Sequence, residues 1–459
     1  MKSLQLADIA RMSGGRLFQA DDANAFIDAV SIDTRTLAAQ DGRILFIALK
    51  GENFDGHDHL ARAVEAGAVA VMVSREFADL AVPQIVVANT ELALAAWAGA
   101  MQAARATRIA ALTGSNGKTS VKTLLLSILN QAGGAYANPG NLNNEIGLPL
   151  SVLAAPEEAA IAVYEMGAGK PGDIAYLTRV AVPDVSLVNN IAPAHLERMG
   201  SLLGVADTKA AIYDALKING TAIINADDAF AGYFAERAQG RRVLRFGLNA
   251  SADVFATNIR CDADQSQFEL HMPIGNAEVM LKMPGRHNVA NALAAASMAM
   301  ALDVGFAQIV AGLENADQVK GRLLAHRLSN GSVLIDDSYN ANPGSLAAAI
   351  DTLAAAKGER WLVLGDMREL GDDAVALHAE SGRRAKAAGI QRLYTLGELS
   401  AAAAAAFGEG AHTFESHAAL AAQLAADMTS QVRILVKGSR GSAMDRIVTA
   451  VLEGENHAA

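Results

Sequence analysis

Cysteine is almost absent from this 459-residue sequence, and so are long apolar runs. The single Cys261 excludes an intramolecular disulfide and fits a reducing compartment. The alanine-rich stretches at 291–302 and 401–407 fall short of the roughly 20 residues that a membrane span needs. The first residues lack the apolar core of a signal peptide. We therefore expect a soluble, cytoplasmic protein without membrane insertion.

Basic residues are also few relative to acidic ones, 38 against 49, which gives a formal net charge of −11. This balance disfavours nonspecific binding to nucleic acid or to anionic membranes. An anionic ligand must therefore be held by local donors and metal ions. Hydrophobic residues make up 51% and charged residues 19%, a composition that argues against disorder. The length predicts two or three domains.

A glycine-bracketed turn, Thr-Gly-Ser-Asn-Gly-Lys-Thr-Ser at 113–120, joins a strand-like run to a helical one. Glycines let the backbone bend around an anion, and a helix start offers free N–H groups. Lys118 adds a positive charge, and Thr119 offers a hydroxyl to a phosphate-bound magnesium. The first glycine is Gly114, whereas the common spacing would place it at Leu112. An ordinary glycine-rich turn is the alternative, but the strand–helix junction favours a nucleotide-phosphate loop.

Strand-like runs at 161–164, 185–188 and 221–224 are each followed by polar residues. Since parallel strands bind ligands at their carboxyl ends, we expect Lys118, Thr119, Glu165 and His195 along one edge. Alternation at 253–260, 267–272 and 277–283 predicts a small antiparallel addition. After residues 317–322, a hairpin signal at 329–332 and repeated strand-then-glycine patterns predict a second doubly wound α/β unit. Within it, Asn342-Pro343 predicts a helix cap followed by a proline in the first turn.

Several side chains in these turns allow two interpretations. Glu165 suits magnesium, and His195 is either a ligand or a capping or core histidine. Asp337 follows a strand. One interpretation is that it contacts a ribose or a metal, and the other is that it caps the next helix. Lys437 and Arg440 lie in a glycine-rich turn, where they hold a carboxylate or phosphate or are surface charges.

Seven motifs together resemble the Mur ligases and the related folylpolyglutamate synthetases; they lie at 113–120, 141–149, 164–167, 189–196, 285–292, 336–343 and 364–371. The resemblance implies an enzyme that phosphorylates a carboxylate with ATP and lets an amine displace the phosphate, forming an amide, ADP and phosphate. The segments 338–343 and 53–57 resemble the branch that adds D-alanyl-D-alanine to UDP-N-acetylmuramoyl-tripeptide in peptidoglycan precursor synthesis.

The resemblance also implies an α/β protein of three domains. These are a UDP-substrate-binding α/β domain at 1–87, a central P-loop ATPase-like α/β domain with the antiparallel addition at 88–317, and a C-terminal Rossmann-like domain at 318–459. The expected partners are UDP-N-acetylmuramoyl-tripeptide and D-alanyl-D-alanine, without nucleic acid. We expect a monomer.

Residue by residue, the resemblance implies four groups of side chains. The ATP-binding group is Gly114, Ser115, Asn116, Gly117, Lys118, Thr119, Ser120, Asn288, Asn291, Arg322, Asp337 and Asn340. The UDP-substrate group is Thr34, Lys50, Gly51, Asn53, Asp55, Asn143 and Asn144. Two magnesium ions would be held by Thr119, Glu165, His195 and Lys209, the last as a carbamate. The catalytic group would be Lys118, Lys209, His195 and Asp337.

Three other functions compete with this one. The ligase that adds diaminopimelate or lysine to the UDP-muramoyl-dipeptide is the nearest, but the Asp-Asn-Pro-Arg signature of its diaminopimelate-adding type is absent from the sequence. Folylpolyglutamate synthetase lacks this kind of N-terminal UDP domain. A P-loop regulatory or transport ATPase would leave Glu165, His195 and Lys209 unexplained.

Overall fold

The computed structural model describes residues 1–20, 22–249, 251–262 and 264–456. The strands are β1 Leu4–Gln5, β2 Arg16–Phe18, β3 Phe26–Ile27, β4 Ala29–Ser31, β5 Ile44–Ile47, β6 Ala68–Val73, β7 Gln84–Val86, β8 Arg108–Thr113, β9 Tyr136–Ala137, β10 Ile161–Glu165, β11 Val185–Val188, β12 Thr221–Asn225, β13 Arg242–Gly247, β14 Val254–Cys261, β15 Ser266–Met272, β16 Gly275–Leu281, β17 Leu324–Arg327, β18 Val333–Asp337, β19 Glu359–Gly365, β20 Arg392–Leu396, β21 Ala411–Phe414 and β22 Val432–Lys437.

The helices are α1 Leu6–Met12, α2 Leu60–Glu65, α3 Thr90–Ala103, α4 Lys118–Asn130, α5 Gly147–Ala154, α6 Asp173–Val180, α7 Leu196–Met199, α8 Leu202–Asp214, α9 Ala231–Arg237, α10 Arg286–Ala301, α11 Phe306–Glu314, α12 Pro343–Ala354, α13 Ala374–Ala387, α14 Ala401–Phe407, α15 His417–Asp427 and α16 Asp445–Asn456. Short 3₁₀ turns lie at Leu37–Ala39, Gly56–His59, Gly371–Asp373 and Arg440–Ser442. This mixed α/β content confirms the predicted fold class.

The chain divides into two compact units. The first unit comprises Met1–Ala111, Ala135–Gly167 and Gly172–Asp184, and the second comprises Leu112–Gly134, Ala168–Pro171 and the chain from Val185 onward. The domain limits at residues 87 and 317 remain a prediction. Among the described residues, no helix is long and apolar enough to cross a bilayer.

The first unit contains a five-stranded sheet in the order β2-β7-β6-β5-β4. Only the β2–β7 pair is antiparallel. The central strands β5 and β6 are apolar along their length and almost wholly buried, as expected of parallel strands covered on both faces. The carboxyl ends of β4, β5 and β6 therefore share one edge.

In the second unit, β11, β12 and β13 are parallel, and β14, β15 and β16 form the predicted antiparallel addition. Helix α10 is buried along most of its length because it is built mainly of alanine and other small or flexible apolar residues. Helix α11 approaches α4 very closely, since a Cβ at Gly312 would lie 2.3 Å from the Cα of Ile128.

The last sheet of the second unit has the order β17-β18-β22-β19-β20-β21. The β17–β18 hairpin turns at Asn330-Gly331, as predicted, and the other pairs are parallel. One apolar cluster, which includes Leu346, Ile350 and Leu393, and another, which includes Trp361 and Leu420, form separate cores. Two such cores are what a doubly wound sheet with helices on both faces produces.

Candidate active site

The phosphate loop is a tight turn between β8 and α4. Gly117 is the residue before the helix and has φ +78°, a conformation that favours glycine. A Cβ at Gly117 would lie 2.4 Å from Oδ1 of Asn291, so a side chain does not fit there. Lys118 begins α4 and donates from Nζ to the carbonyl of Gly114 at 2.7 Å. A helix start and a lysine side chain together are the donors that an anion-binding turn uses.

Asparagine side chains hold the loop from one side. Asn189 donates from Nδ2 to the carbonyl of Asn116 at 3.0 Å and to Oδ1 of Asn291 at 2.9 Å. Asn291 donates in turn to Oδ1 of Asn288, and Asn190 accepts from the backbone N–H of Asn116 at 2.8 Å. These amides carry no net charge, so they fix the loop without neutralising Lys118.

Ser115 and Asn116 attach the outer face of the loop to other segments. Ser115 Oγ donates to the carbonyl of Ala192 at 3.1 Å and accepts from its N–H at 3.0 Å. Asn342 donates from Nδ2 to Oδ1 of Asn116 at 2.7 Å, while its own Oδ1 accepts from the N–H of Ser345 as the cap of α12. The cap and the proline that follows it were predicted from the sequence.

A cavity of about 220 Å³ adjoins the loop within the second unit. Its lining residues are Asn116, Gly117, Ser120, Asn189, Asn190, Asn225, His287, Asn288, Ala290, Asn291, Arg322, Leu323, Asp337, Gly344, Ser345, Ala348, Ala349 and Lys437. Seven of the twelve residues predicted to bind ATP are therefore brought to one cavity. Polar amides at one side and small apolar residues of α12 at another suit a nucleoside attached to phosphates.

Asp337 and Lys437 form a buried ion pair in this lining. They end the adjacent strands β18 and β22, and Lys437 Nζ lies 2.5 Å from Asp337 Oδ2. Burial raises the pKa of Asp337 and lowers the pKa of Lys437, and their mutual bond opposes both shifts. Lys437 also donates to the carbonyl of Asn340 at 3.1 Å.

Arg322, another residue of the lining, stacks on Tyr339 with its guanidinium 4.3 Å from the ring centre.

His195 lies at the start of α7 with φ +54°, and its Nδ1 is 2.5 Å from Oε2 of Glu369. Burial lowers the pKa of His195, the Glu369 carboxylate opposes this, and the charges of Lys209 and Lys118 lower it further. Lys209, on α8, is itself 1% exposed. The charges of Glu369, Lys209 and Lys118 thus all act on the ring of His195.

Glu165 ends β10 in the first unit and is buried. Asn143 donates from Nδ2 to its Oε1 at 2.8 Å, and Asn138 pairs with its backbone N–H and carbonyl at 2.9 and 3.0 Å. Asn144 accepts from the N–H of Gly147 at 2.9 Å. Of the predicted UDP-substrate residues, Asn143 therefore orients the predicted metal ligand, and Asn144 shapes the turn before α5.

The other predicted UDP-substrate residues follow neighbouring strands of the five-stranded sheet. Thr34 comes after β4, and the loop with Lys50, Gly51, Asn53 and Asp55 comes after β5. Asp55 lies 3.7 Å from Lys50 Nζ and 2.5 Å from Nδ1 of His57, and these neighbours lower its pKa, the hydrogen bonds from His57 most of all. Both loops lie at the carboxyl edge, where parallel sheets bind ligands.

Metal-binding groups are sparse in the part of the chain that the structure describes, which contains no cluster of three or more His, Cys, Asp or Glu side chains suited to a metal ion. Magnesium does not need such a cluster, because it commonly binds one or two protein groups, phosphate oxygens and water. Thr119 in the first turn of α4 and the carboxylate of Glu165 are oxygen donors of the right kind. The donor types fit magnesium brought with a nucleotide.

Sequence reasoning did not include several residues in the site. Asn189 and Asn225 hold the loop and its neighbours, His287 lines the cavity, and Glu369 contacts His195. Asn189 lies directly after β11 and Asn225 ends β12, so the rule of polar residues at carboxyl ends could have found both. Nothing local in the sequence indicates the contact between Glu369 and His195.

Known proteins match nearly all of the chain. Residues 26–113 match the family model described as Mur ligase family, catalytic domain, residues 112–299 match the Mur ligase middle domain, and residues 321–440 match the Mur ligase glutamate ligase domain. A relative from Escherichia coli, named UDP-N-acetylmuramoyl-tripeptide–D-alanyl-D-alanine ligase, is 44% identical over 99% of both chains.

Solved structures of two proteins named MurF superpose on nearly the full length of this chain. MurF from Acinetobacter baumannii superposes with a TM-score of 0.93 at 33% identity over 99% of both chains. MurF from Thermotoga maritima, solved with ADP, superposes with a TM-score of 0.84 at 26% identity over 94% of this chain and 98% of that one. With its phosphate loop, its cavity and these full-length likenesses, the chain belongs to the Mur ligase family.

Proposed function

We propose that this protein uses ATP to join D-alanyl-D-alanine to UDP-N-acetylmuramoyl-tripeptide, releasing ADP and phosphate, in peptidoglycan precursor synthesis. The observation that carries the proposal is the 44% identity, over 99% of both chains, to the E. coli ligase of that name. The phosphate loop and the adjoining cavity support the proposal, because they offer polar donors and space of the kind that ATP needs.

The reaction has two steps, and the first brings a carboxylate and a phosphate, both negatively charged, together. The terminal carboxylate of the tripeptide attacks the γ-phosphoryl group, which gives an acyl phosphate and ADP. The amine of the dipeptide then attacks the acyl carbon, a tetrahedral intermediate forms, and phosphate leaves. Lys118 would exchange its hydrogen bond to Gly114 for phosphate oxygens and offset their charge in the first step.

Metal ions would support the same step. We assign Thr119, Glu165, His195 and Lys209 as residues that hold magnesium, with Lys209 acting as a carbamate. Bound magnesium neutralises phosphate charge during transfer. The carbamate would convert the buried Lys209 from a cation into an anion, which reverses the sign of its effect on His195.

The other predicted residues would bind the nucleoside of ATP and the uridine nucleotide. Arg322 and Asp337, which line the cavity, would contact the nucleoside, with Asn288 and Asn291 beside the phosphate loop. Asn340, whose carbonyl accepts from Lys437, would also contact ATP. Thr34 and the loop after β5 would receive the uridine nucleotide. Because Asn143 is hydrogen-bonded to Glu165, we expect its substitution to disturb metal binding as well as substrate binding.

The test measures phosphate release from ATP with UDP-muramoyl-tripeptide and varied acceptors. Release should require D-alanyl-D-alanine and should not occur with D-alanine, lysine or diaminopimelate alone. Acceptance of diaminopimelate or lysine with the UDP-dipeptide would identify the ligase of the preceding step instead. Hydrolysis that is independent of any acceptor would indicate a regulatory or transport ATPase.

Lys118→Ala should reduce this release by more than about 100-fold, because one charge that opposes the transferred phosphate is lost. Binding of the UDP substrate should stay within about twofold. Lys357→Ala is the matched control, since Lys357 is an exposed lysine after α12. Unchanged turnover in Lys118→Ala would reject the phosphate-loop assignment.

A further inference from the structure

The contact between His195 and Glu369 joins two residues with unusual backbones. Non-glycine residues with positive φ are uncommon, and both partners have it, His195 at +54° and Glu369 at +62°. Holding a non-glycine residue in this conformation costs free energy, and glycine would avoid that cost. A glutamate is therefore present where glycine would be easier to accommodate, which points to a role for its side chain.

The segment that carries Glu369 is fixed on its N-terminal side. The N–H of Met367 donates to Nε2 of the buried His378 at 2.9 Å, and the N–H of Arg368 donates to Oγ of Ser439 at 2.9 Å. Asp366 accepts from the N–H of Ser400 at 2.8 Å. Three consecutive residues before Glu369 are thus anchored, which presents its carboxylate from a rigid support.

The same segment lies along the start of α7. A Cβ at Gly371 would be 3.8 Å from the Cα of Glu197, two residues after His195. The contact at His195 is thus part of a longer approach between the turn after β19 and the turn before α7. Both turns belong to the second unit.

We propose that Glu369 is a positioning residue for His195. Its carboxylate accepts the hydrogen of Nδ1–H, which fixes the imidazole in the tautomer whose lone pair is on Nε2. A histidine used as a metal ligand or proton acceptor needs that lone pair, and a carboxylate on the other nitrogen is the usual way to secure it. The consequence for turnover rests on the function proposed above, whereas the tautomer itself does not.

The direct test is the tautomer in the ligand-free protein. Long-range ¹H–¹⁵N NMR at a pH where the ring is neutral should place the proton of His195 on Nδ1, with its signals identified by their loss in His195→Asn. Glu369→Ala should shift the ring toward the Nε2–H form. Glu369→Gln, whose amide oxygen still accepts, should keep Nδ1–H. A ring that is unchanged in Glu369→Ala overturns the proposal.

Turnover gives a second readout. Glu369→Ala should lower kcat about 10- to 100-fold, as the loss of such a partner does at metal sites, with KM for ATP within about twofold. Glu369→Gln should lie between Glu369→Ala and the wild type. Asp372→Asn is the matched control, because it removes one exposed negative charge from the same segment and should leave kcat unchanged. Equal kcat values for Glu369→Ala and Asp372→Asn overturn the proposal.

Glu369→Gly separates the contact from backbone strain. Glycine adopts φ +62° without cost, so a loss of kcat and of the Nδ1–H form in this variant must come from the missing carboxylate. Full activity in Glu369→Gly would refute the role. If wild-type protein shows the expected tautomer but no phosphate release that depends on D-alanyl-D-alanine, the proposed function fails and the positioning contact stands.

Discussion

Two walls of the cavity in the second unit are held by different kinds of bond. The amide wall, defined by Asn116, Asn189 and Asn291, is joined by hydrogen bonds between uncharged groups. The ion-pair wall, defined by Asp337 and Lys437, is joined by two buried opposite charges 2.5 Å apart. Only the second wall is held by opposite charges.

The two kinds of bond suit the different positions of the two walls. The amide wall supports the phosphate loop, where positive charge stabilises an anion, and neutral amides add no negative charge beside Lys118. The ion-pair wall is neutral overall, and its desolvated charges gain little net stability but tolerate the loss of a partner poorly. We therefore expect the two walls to respond very differently to substitution.

Breaking the ion-pair wall should have the largest effect on stability. Lys437→Met leaves the carboxylate of Asp337 buried and without its cation, and the free energy of unfolding should fall by about 3–5 kcal/mol. Denaturant unfolding measures this loss. The double variant Lys437→Met with Asp337→Leu should recover most of it, and a single-variant loss below about 1 kcal/mol would show that the pair is not buried as described.

The amide wall can be given a charge without changing its shape. Asn189→Asp replaces the Nδ2 donor by an oxygen that faces the carbonyl of Asn116 and Oδ1 of Asn291. The free energy of unfolding should fall by about 2 kcal/mol, because hydrogen-bond acceptors are left facing one another. KM for ATP should rise more than about 10-fold, since the new charge repels phosphate.

The control for this variant is Asn276→Asp, which changes an exposed asparagine of β16. It should leave both the free energy of unfolding and KM for ATP near their wild-type values. Equal effects of the two substitutions would mean that the amide wall does not support the nucleotide.

The sequence predicted the parts of this site that depend on local chemistry. The turn at Gly117, the hairpin at Asn330-Gly331 and the cap at Asn342 each follow from residues within a few positions of one another. The antiparallel addition followed from alternation along its strands. The phosphate loop itself was located because a lysine follows a glycine at a strand–helix junction.

The contacts between distant segments could not be predicted in the same way. Asp337 and Lys437 meet because β22 inserts between β18 and β19, an order that spacing along the chain does not determine. Asn189 and Asn291 are 102 residues apart, and Glu369 reaches His195 only through the anchored turn after β19. Tertiary arrangement, rather than local preference, selects these pairs. The roles predicted for the site residues stay predictions.

Lowering the pH should weaken the site through His287, which lines the cavity. Burial and the charge of Lys437 lower the pKa of His287 from 6.5 to about 4. Below pH 6.5 His287 is protonated in the unfolded chain but stays neutral in the folded protein. The free energy of unfolding therefore falls as the pH drops toward 4. The full shift corresponds to ~3 kcal/mol, and partial exposure to the cavity reduces this to about 2 kcal/mol.

The measurement is the free energy of unfolding at pH 7.5 and pH 4.5 for the wild type and for His287→Gln. The wild type should lose about 2 kcal/mol more than the variant over this interval. Parallel pH profiles would mean that the histidine titrates normally in the folded protein.

The smallest effect is expected for an ion pair that lies outside the cavity. Arg440 approaches Asp445 at 3.5 Å, with about two thirds of its side chain exposed. Water screens such a pair, so Arg440→Ala should change the free energy of unfolding by no more than about 0.5 kcal/mol. Raising the salt concentration should diminish even this difference, whereas the loss in Lys437→Met should persist because buried charges are screened far less. If salt reduced both losses alike, burial would not distinguish the two pairs.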